Sequence, residues 1–388
     1  MFPRTRIPLA ATTVLALSAG LLTGCGPKPP HASGAIAFVV GGRSNMPRPA
    51  LIGAAQKLHD DAVLSNDTLI FVGVSGRPEV LFQEKVDQSC DSDVTCRAVV
   101  AQYQRQTSDI MGQVKAGEPE ADLLGAIELA ARSVRSVDTN GPRQVVVVDN
   151  GVQTTGDLKL QSPGALSVDP AAQADAMRRA GKLRYLDGVG VHLAGLGTTW
   201  APQTPLSGTD VQRLEKLWTA VLTAGGARVD VESAVLPQDA PTPGLPAVSV
   251  RPPDVIQDDD GEGCFRVRDD QIGFRPNTAT FRDPVAARRT LEPVAKSLLG
   301  TRGAATVVGT TALPEKNPGN PLSHARADAV IDVLSNELGV PRERLKGDGV
   351  GTDFAGYTRP YDADGAFDEI LAVQNRMVII QQIGRPCR

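Results

Sequence analysis

The chain has 388 residues, enough for two domains with extensions. Its 41% hydrophobic and 22% charged content is that of a globular protein. A formal net charge of -4 and an aromatic content of 4% argue against nucleic acid as a partner: there is neither a basic surface nor a stock of stacking rings.

Arg4 and Arg6 precede an apolar run from Ile7 to Leu22, followed by Thr23-Gly24-Cys25. A charged start, an apolar stretch and small residues at its end predict an export signal over residues 1–24. Leu22-Thr23-Gly24-Cys25 resembles the bacterial lipobox. The resemblance implies cleavage before Cys25 and a diacylglyceryl group on it, so that the mature chain is held on the outer side of a membrane. Residues 25–34 are then a short Pro-containing spacer. Four cysteines remain, an even number in an exported protein, which predicts disulfides. Cys90–Cys96 and Cys264–Cys387 is the preferred pairing, because each bridge then stays within one domain.

Residues 35–236 alternate apolar strands with helices. Strands are predicted at 35–40, 68–74, 144–148, 189–196 and 228–235, with an irregular insertion over 75–97. Largely apolar strands alternating with helices predict an α/β fold with a doubly wound parallel sheet. Ligands of such sheets gather beyond the strand ends, where Arg43, Ser44, Asn45, Asp149 and Asn150 would form a rim. Those residue types are equally at home in turns and caps. The order of elements resembles a von Willebrand factor A-like domain, in which a DxSxS strand end, a loop Thr and a later Asp bind a divalent metal. Here Gly41 stands at the first Asp, Ala121 at the Thr and Asn150 at the last Asp. A hard cation wants several oxygen ligands including carboxylates, so no metal is expected. A protein partner for this domain is the open alternative.

Residues 237–263, rich in Pro and carrying Asp258 to Asp260, are predicted to be an extended linker. Cys264 opens the last domain, residues 264–388. A helix is predicted from Asp283-Pro284 towards Leu299, with a kink at Pro293, and a strand at 306–308. In Asn320 to Gly339, apolar residues recur at helical spacing, with Asn320-Pro321 as the start and Gly339 as the stop. Arg326 falls inside the apolar arc near the helix N-terminus. There it makes either an internal ion pair or one half of a carboxylate pocket.

Leu322, Ser323, Arg326 and Ala327, then Gly339-Val340, then Gly347, Gly349 and Gly351, then Asn375-Arg376 before an apolar strand, resemble the OmpA-like peptidoglycan-associating domain. The resemblance spans about residues 265–383 and implies a βαβαβ-type fold. It implies non-covalent association with peptidoglycan, in which an Asp and the motif Arg grip the amino and carboxylate groups of diaminopimelate in the peptide stem. Arg326 matches that Arg, with Asn375 and Arg376 as supporting contacts. Ala312 stands where the family has its Asp, and Gly319 where it has an Asn; Glu315 is a possible substitute charge. The expected protein is a lipid-anchored cell-envelope component. The alternative is a protein-protein scaffold whose last domain has lost wall binding. The four His are scattered and no H-E-x-x-H, P-loop or G-x-S-x-G occurs, so neither catalysis nor a cofactor is expected.

Overall fold

The computed structural model describes residues 28–251, 263–301, 303–314, 320–383 and 387. The export signal, Cys25, the Asp258–Asp260 run and Glu315 lie outside the described residues.

The first unit runs β1 (Ala35–Val40), α1 (Gly53–Leu64), β2 (Thr68–Gly73), β3 (Glu79–Lys85), α2 (Asp93–Gln113), α3 (Leu123–Ser136), β4 (Arg143–Val148), α4 (Pro170–Arg179), β5 (Gly190–Ala194), α5 (Gly208–Ala224) and β6 (Arg228–Glu232). Its six strands are ordered β3-β2-β1-β4-β5-β6 and are parallel except for β3. The fold is α/β and doubly wound, as expected. Period-two alternation divides β1 between two cores. Ala35, Ala37 and Val39 face the cluster with α3 and α5, while Ile36, Phe38 and Val40 face the cluster with α1 and α2. That is why β1 carries no polar residue.

Two expectations are corrected. The supposed irregular insertion contains β3, an antiparallel edge strand all of whose residues are exposed. With no buried face it has no alternation to reveal it. Glu79, Glu84 and Lys85 and a bulge opposite Phe71 and Val72 blunt its free edge. Secondly, the first part of the supposed linker is an ordered strap. Arg48 N–H donates to Asp239 O at 3.0 Å, Ser44 Oγ to Pro246 O at 3.2 Å and Ser249 Oγ to Glu120 Oε1 at 2.7 Å. Val248 is buried, and Arg251 reaches Asp210 at 3.6 Å. Proline suits an extended chain lying on a surface as well as one crossing solvent, so composition alone misjudged it.

The second unit runs β7 (Cys264–Arg268), α6 (Asp269–Ile272), α7 (Pro284–Gly300), β8 (Ala305–Thr310), α8 (Pro321–Asp332), β9 (Leu345–Gly351), α9 (Glu369–Gln374) and β10 (Met377–Gln382). Its mixed four-stranded sheet is ordered β7-β10-β8-β9. The helix α7 runs on through Pro293 to Gly300. Both expected disulfides are present, with Cα–Cα distances of 4.9 Å for Cys90–Cys96 and 5.4 Å for Cys264–Cys387.

The units are packed together. Ile370 and Val373 of α9 are buried with the first unit's core. Lys182 bonds Asp157 at 2.9 Å and, across the interface, Asp362. Burial opposes the charge on Lys182, but the bonds from the two carboxylates outweigh it and hold its pKa above the ordinary value. Among the described residues no helix is long and apolar enough to cross a membrane.

Candidate functional site

The first unit's rim is closed. Arg43, Asn45, Asp149 and Asn150 are all buried, and the strap lies over Ser44. The Arg43 guanidinium donates to Asp149 and, at 2.9 Å, to Asn150 Oδ1. Asp149 Oδ1 and Asn150 Oδ1 are thus bonded to an internal cation, while Asp149 Oδ2 has no hydrogen-bond partner among the described residues.

An open cleft lies beside α8 of the second unit. Helix α8 begins at Pro321, which suits a first helical position because it has no N–H to satisfy. Asn320 is not the expected side-chain cap: its backbone is left-handed, and its Nδ2 donates to Gly349 O at 3.3 Å. Ser323 fastens the helix start instead, donating to Asn320 O at 3.0 Å and accepting from Gly351 N–H at 3.2 Å. The helix lies directly on β8 and β9. A Cβ on Gly309 would fall 1.9 Å from Ser323 O, and one on Gly349 would fall 2.3 Å from His324 N. The G-x-G segment is therefore a seat for α8.

This seating brings Arg326 to the wall of a cleft of about 820 Å³. The residue is only 6% exposed. Among its contacts, Nε donates to Thr278 O at 3.1 Å, and the guanidinium lies over the Phe274 ring at 5.1 Å. Phe274 is itself stacked on Phe281 at 4.9 Å. The end of β8 adds Thr311, Ala312 and Leu313, and Ala312 contributes no charge.

Among the described residues two ion pairs line the same cleft as Arg326. Arg282 meets Asp269 at 3.0 Å, and Arg376 meets Glu369 at 2.7 Å. Arg376 thus lies in the cleft, although with a carboxylate on it. Asn375 does not line it. It is fully buried, its Oδ1 accepting from Thr358 N–H at 2.8 Å and its Nδ2 donating to Thr358 O at 2.5 Å. It secures the 358 loop, and its backbone O accepts from Thr310 Oγ1 at 2.5 Å. The expected supporting contact is a positioning residue.

Arg275, Arg282, Asp269 and Asp169 were missed from the sequence. Arg275 adjoins Pro276 and Asn277, which line the cleft with it. Asp169, from the first unit, reaches the cleft only through the packing of the two units. Of the His residues, His192 bridges Asp230 at 2.8 Å and Glu232 at 3.1 Å, and His324 is half exposed, 3.8 Å from Asp348. Neither is paired with a nucleophile.

No family model and no curated protein matches the chain. Among solved structures it is similar to the cell wall anchor of the T6SS from Pseudomonas aeruginosa, at 25% identity over 31% of this chain and 79% of that one, with a TM-score of 0.25. It is similar to the periplasmic domain of Helicobacter pylori MotB, at 18% identity over 31% and 74%, TM-score 0.24. The peptidoglycan-associated lipoprotein from Burkholderia pseudomallei matches at 20% identity over 30% and 88%, TM-score 0.23.

Proposed function

We propose that this is a non-catalytic cell-envelope lipoprotein that associates with peptidoglycan through the cleft beside α8. One observation carries the reading: the motif arginine, Arg326, stands in the wall of an open cleft, held by Phe274 and Thr278. Its planar fork suits the carboxylates of a peptide stem. Acylated Cys25 supplies the membrane end and the cleft the wall end. Two weak attachments on one chain reinforce each other through effective concentration. The first unit, of von Willebrand factor A-like type, contributes a surface for a protein partner.

The test uses a soluble form starting after Cys25, incubated with purified peptidoglycan and sedimented. The expected result is retention of the parent protein and loss of Arg326→Ala, with both melting at similar temperatures. Equal retention of the two would rule the cleft out.

Ala312, at 6% exposure in the cleft wall, favours a second reading, a scaffold that has lost wall binding. If the parent protein stays in solution while Ala312→Asp sediments with the wall, the scaffold reading holds.

A further inference from the structure

The cleft is shared between the two units. Ser167, Val168 and Asp169, at the entry to α4, form one of its walls. The packing of Val373 against the first unit and the Lys182 bonds hold that wall to the cleft that the arginines also line. Among the described residues three carboxylates line the space, and they are not equivalent. Asp269 is bonded to Arg282 and to Phe274 N–H, and Glu369 is bonded to Arg376. Asp169 caps α4 with one oxygen, Oδ1 accepting from Ala172 N–H at 2.9 Å. Among the described residues nothing bonds its other oxygen, and it has no ion-pair partner. The exposed Arg275 side chain, which lines the same cleft, has no hydrogen-bond or ion-pair partner among the described residues either. One anion and one cation thus face the same space without internal partners. A cavity near 820 Å³ is of a size that holds a short peptide.

We infer that the first unit is part of the binding site, and that Asp169 is a specificity residue which receives an amine of the ligand. The ligand class is a short peptide carrying both a free amine and a free carboxylate, the carboxylate going to the arginines of the second unit. The charge that Ala312 cannot offer at the end of β8 is supplied from the neighbouring unit. This rests on the wall-binding reading and refines it: the second unit alone lacks one of its two charged contacts.

The substitution that isolates the charge is Asp169→Asn, since Asn caps a helix as well as Asp does and α4 keeps its start. Two probes are titrated into the soluble two-unit protein: a synthetic murein stem tripeptide with its side-chain amine free, and the same tripeptide acetylated there. The parent protein is expected to bind the free-amine peptide about tenfold more tightly, the usual worth of a charged hydrogen bond. Asp169→Asn is expected to bind both peptides alike, at the weaker level, with an unchanged circular dichroism spectrum. A preference for the free amine that survives in Asp169→Asn, or no preference in the parent protein, overturns the assignment and leaves wall binding standing. Failure of the parent protein to bind either peptide overturns both.

Discussion

Arg43 and Asp149 form an ion pair whose two side chains are both fully buried at the carboxyl ends of β1 and β4. The pair is braced by Arg43 donating to Asn150 Oδ1 at 2.9 Å and to Val152 O at 3.3 Å. Gly41 makes room for it, because a Cβ there would meet Asp149 Oδ2 at 2.2 Å. Breaking a buried pair strands one charge, at a cost of about 3–5 kcal/mol. Asp149→Leu or Arg43→Met alone should lower unfolding stability by about that much in urea. The double substitution should be far less destabilising than the sum. A single substitution costing under about 1 kcal/mol would contradict this assignment.

His59 is buried between α1 and α2, with Nε2 2.9 Å from Thr107 Oγ1. Burial lowers its pKa below the ordinary 6.5, and the neighbouring Asp60 only partly opposes this. The unfolded chain therefore takes up a proton near pH 6.5 that the folded chain resists. Stability should fall as the pH drops below that value and stop falling once it passes the lower, folded pKa. Melting curves between pH 7.5 and 5, at ~0.5-unit steps, should show this slope in the parent protein and a shallower one in His59→Gln. Parallel curves would remove His59 as the cause.

The Cys264–Cys387 bridge spans 123 residues and Cys90–Cys96 only 6. The longer loop restrains the unfolded chain more, and removing such a bridge typically costs about 2–5 kcal/mol. Cys264→Ser with Cys387→Ser should therefore lower Tm well below that of the pair Cys90→Ser with Cys96→Ser. Scanning calorimetry distinguishes the two, and equal shifts would contradict the loop-length argument.

Much of the fold was legible because burial imprints a period. The strand β1 is apolar throughout, β2 and β4 carry apolar runs after Thr68 and Gln144, and α8 buries Ala327, Val330 and Ile331 on one face, so both units could be read from residue order. The strand β3 was not legible because an exposed edge strand has no buried face to mark it. The strap failed for a different reason: its hydrogen bonds to Ser44, Arg48 and Glu120 join residues more than a hundred positions apart, and no local window sees them. The site divides in the same way. Arg326 was found because a charge inside an apolar arc is locally anomalous. Asn375 was located, but its role was not: an amide beside a strand looks the same whether it meets a ligand or Thr358. Asp169 carried no local signal beyond its helix cap, and only the packing of two distant segments turns it towards the cleft.

The central claim is that Arg326 takes a ligand carboxylate, and calorimetric titration of the free-amine stem tripeptide into the soluble protein and Arg326→Gln measures it directly. A charged hydrogen bond of about 1.5–3 kcal/mol predicts at least about tenfold weaker binding by the variant, with little change in Tm. Indistinguishable affinities in two equally stable proteins would contradict the account.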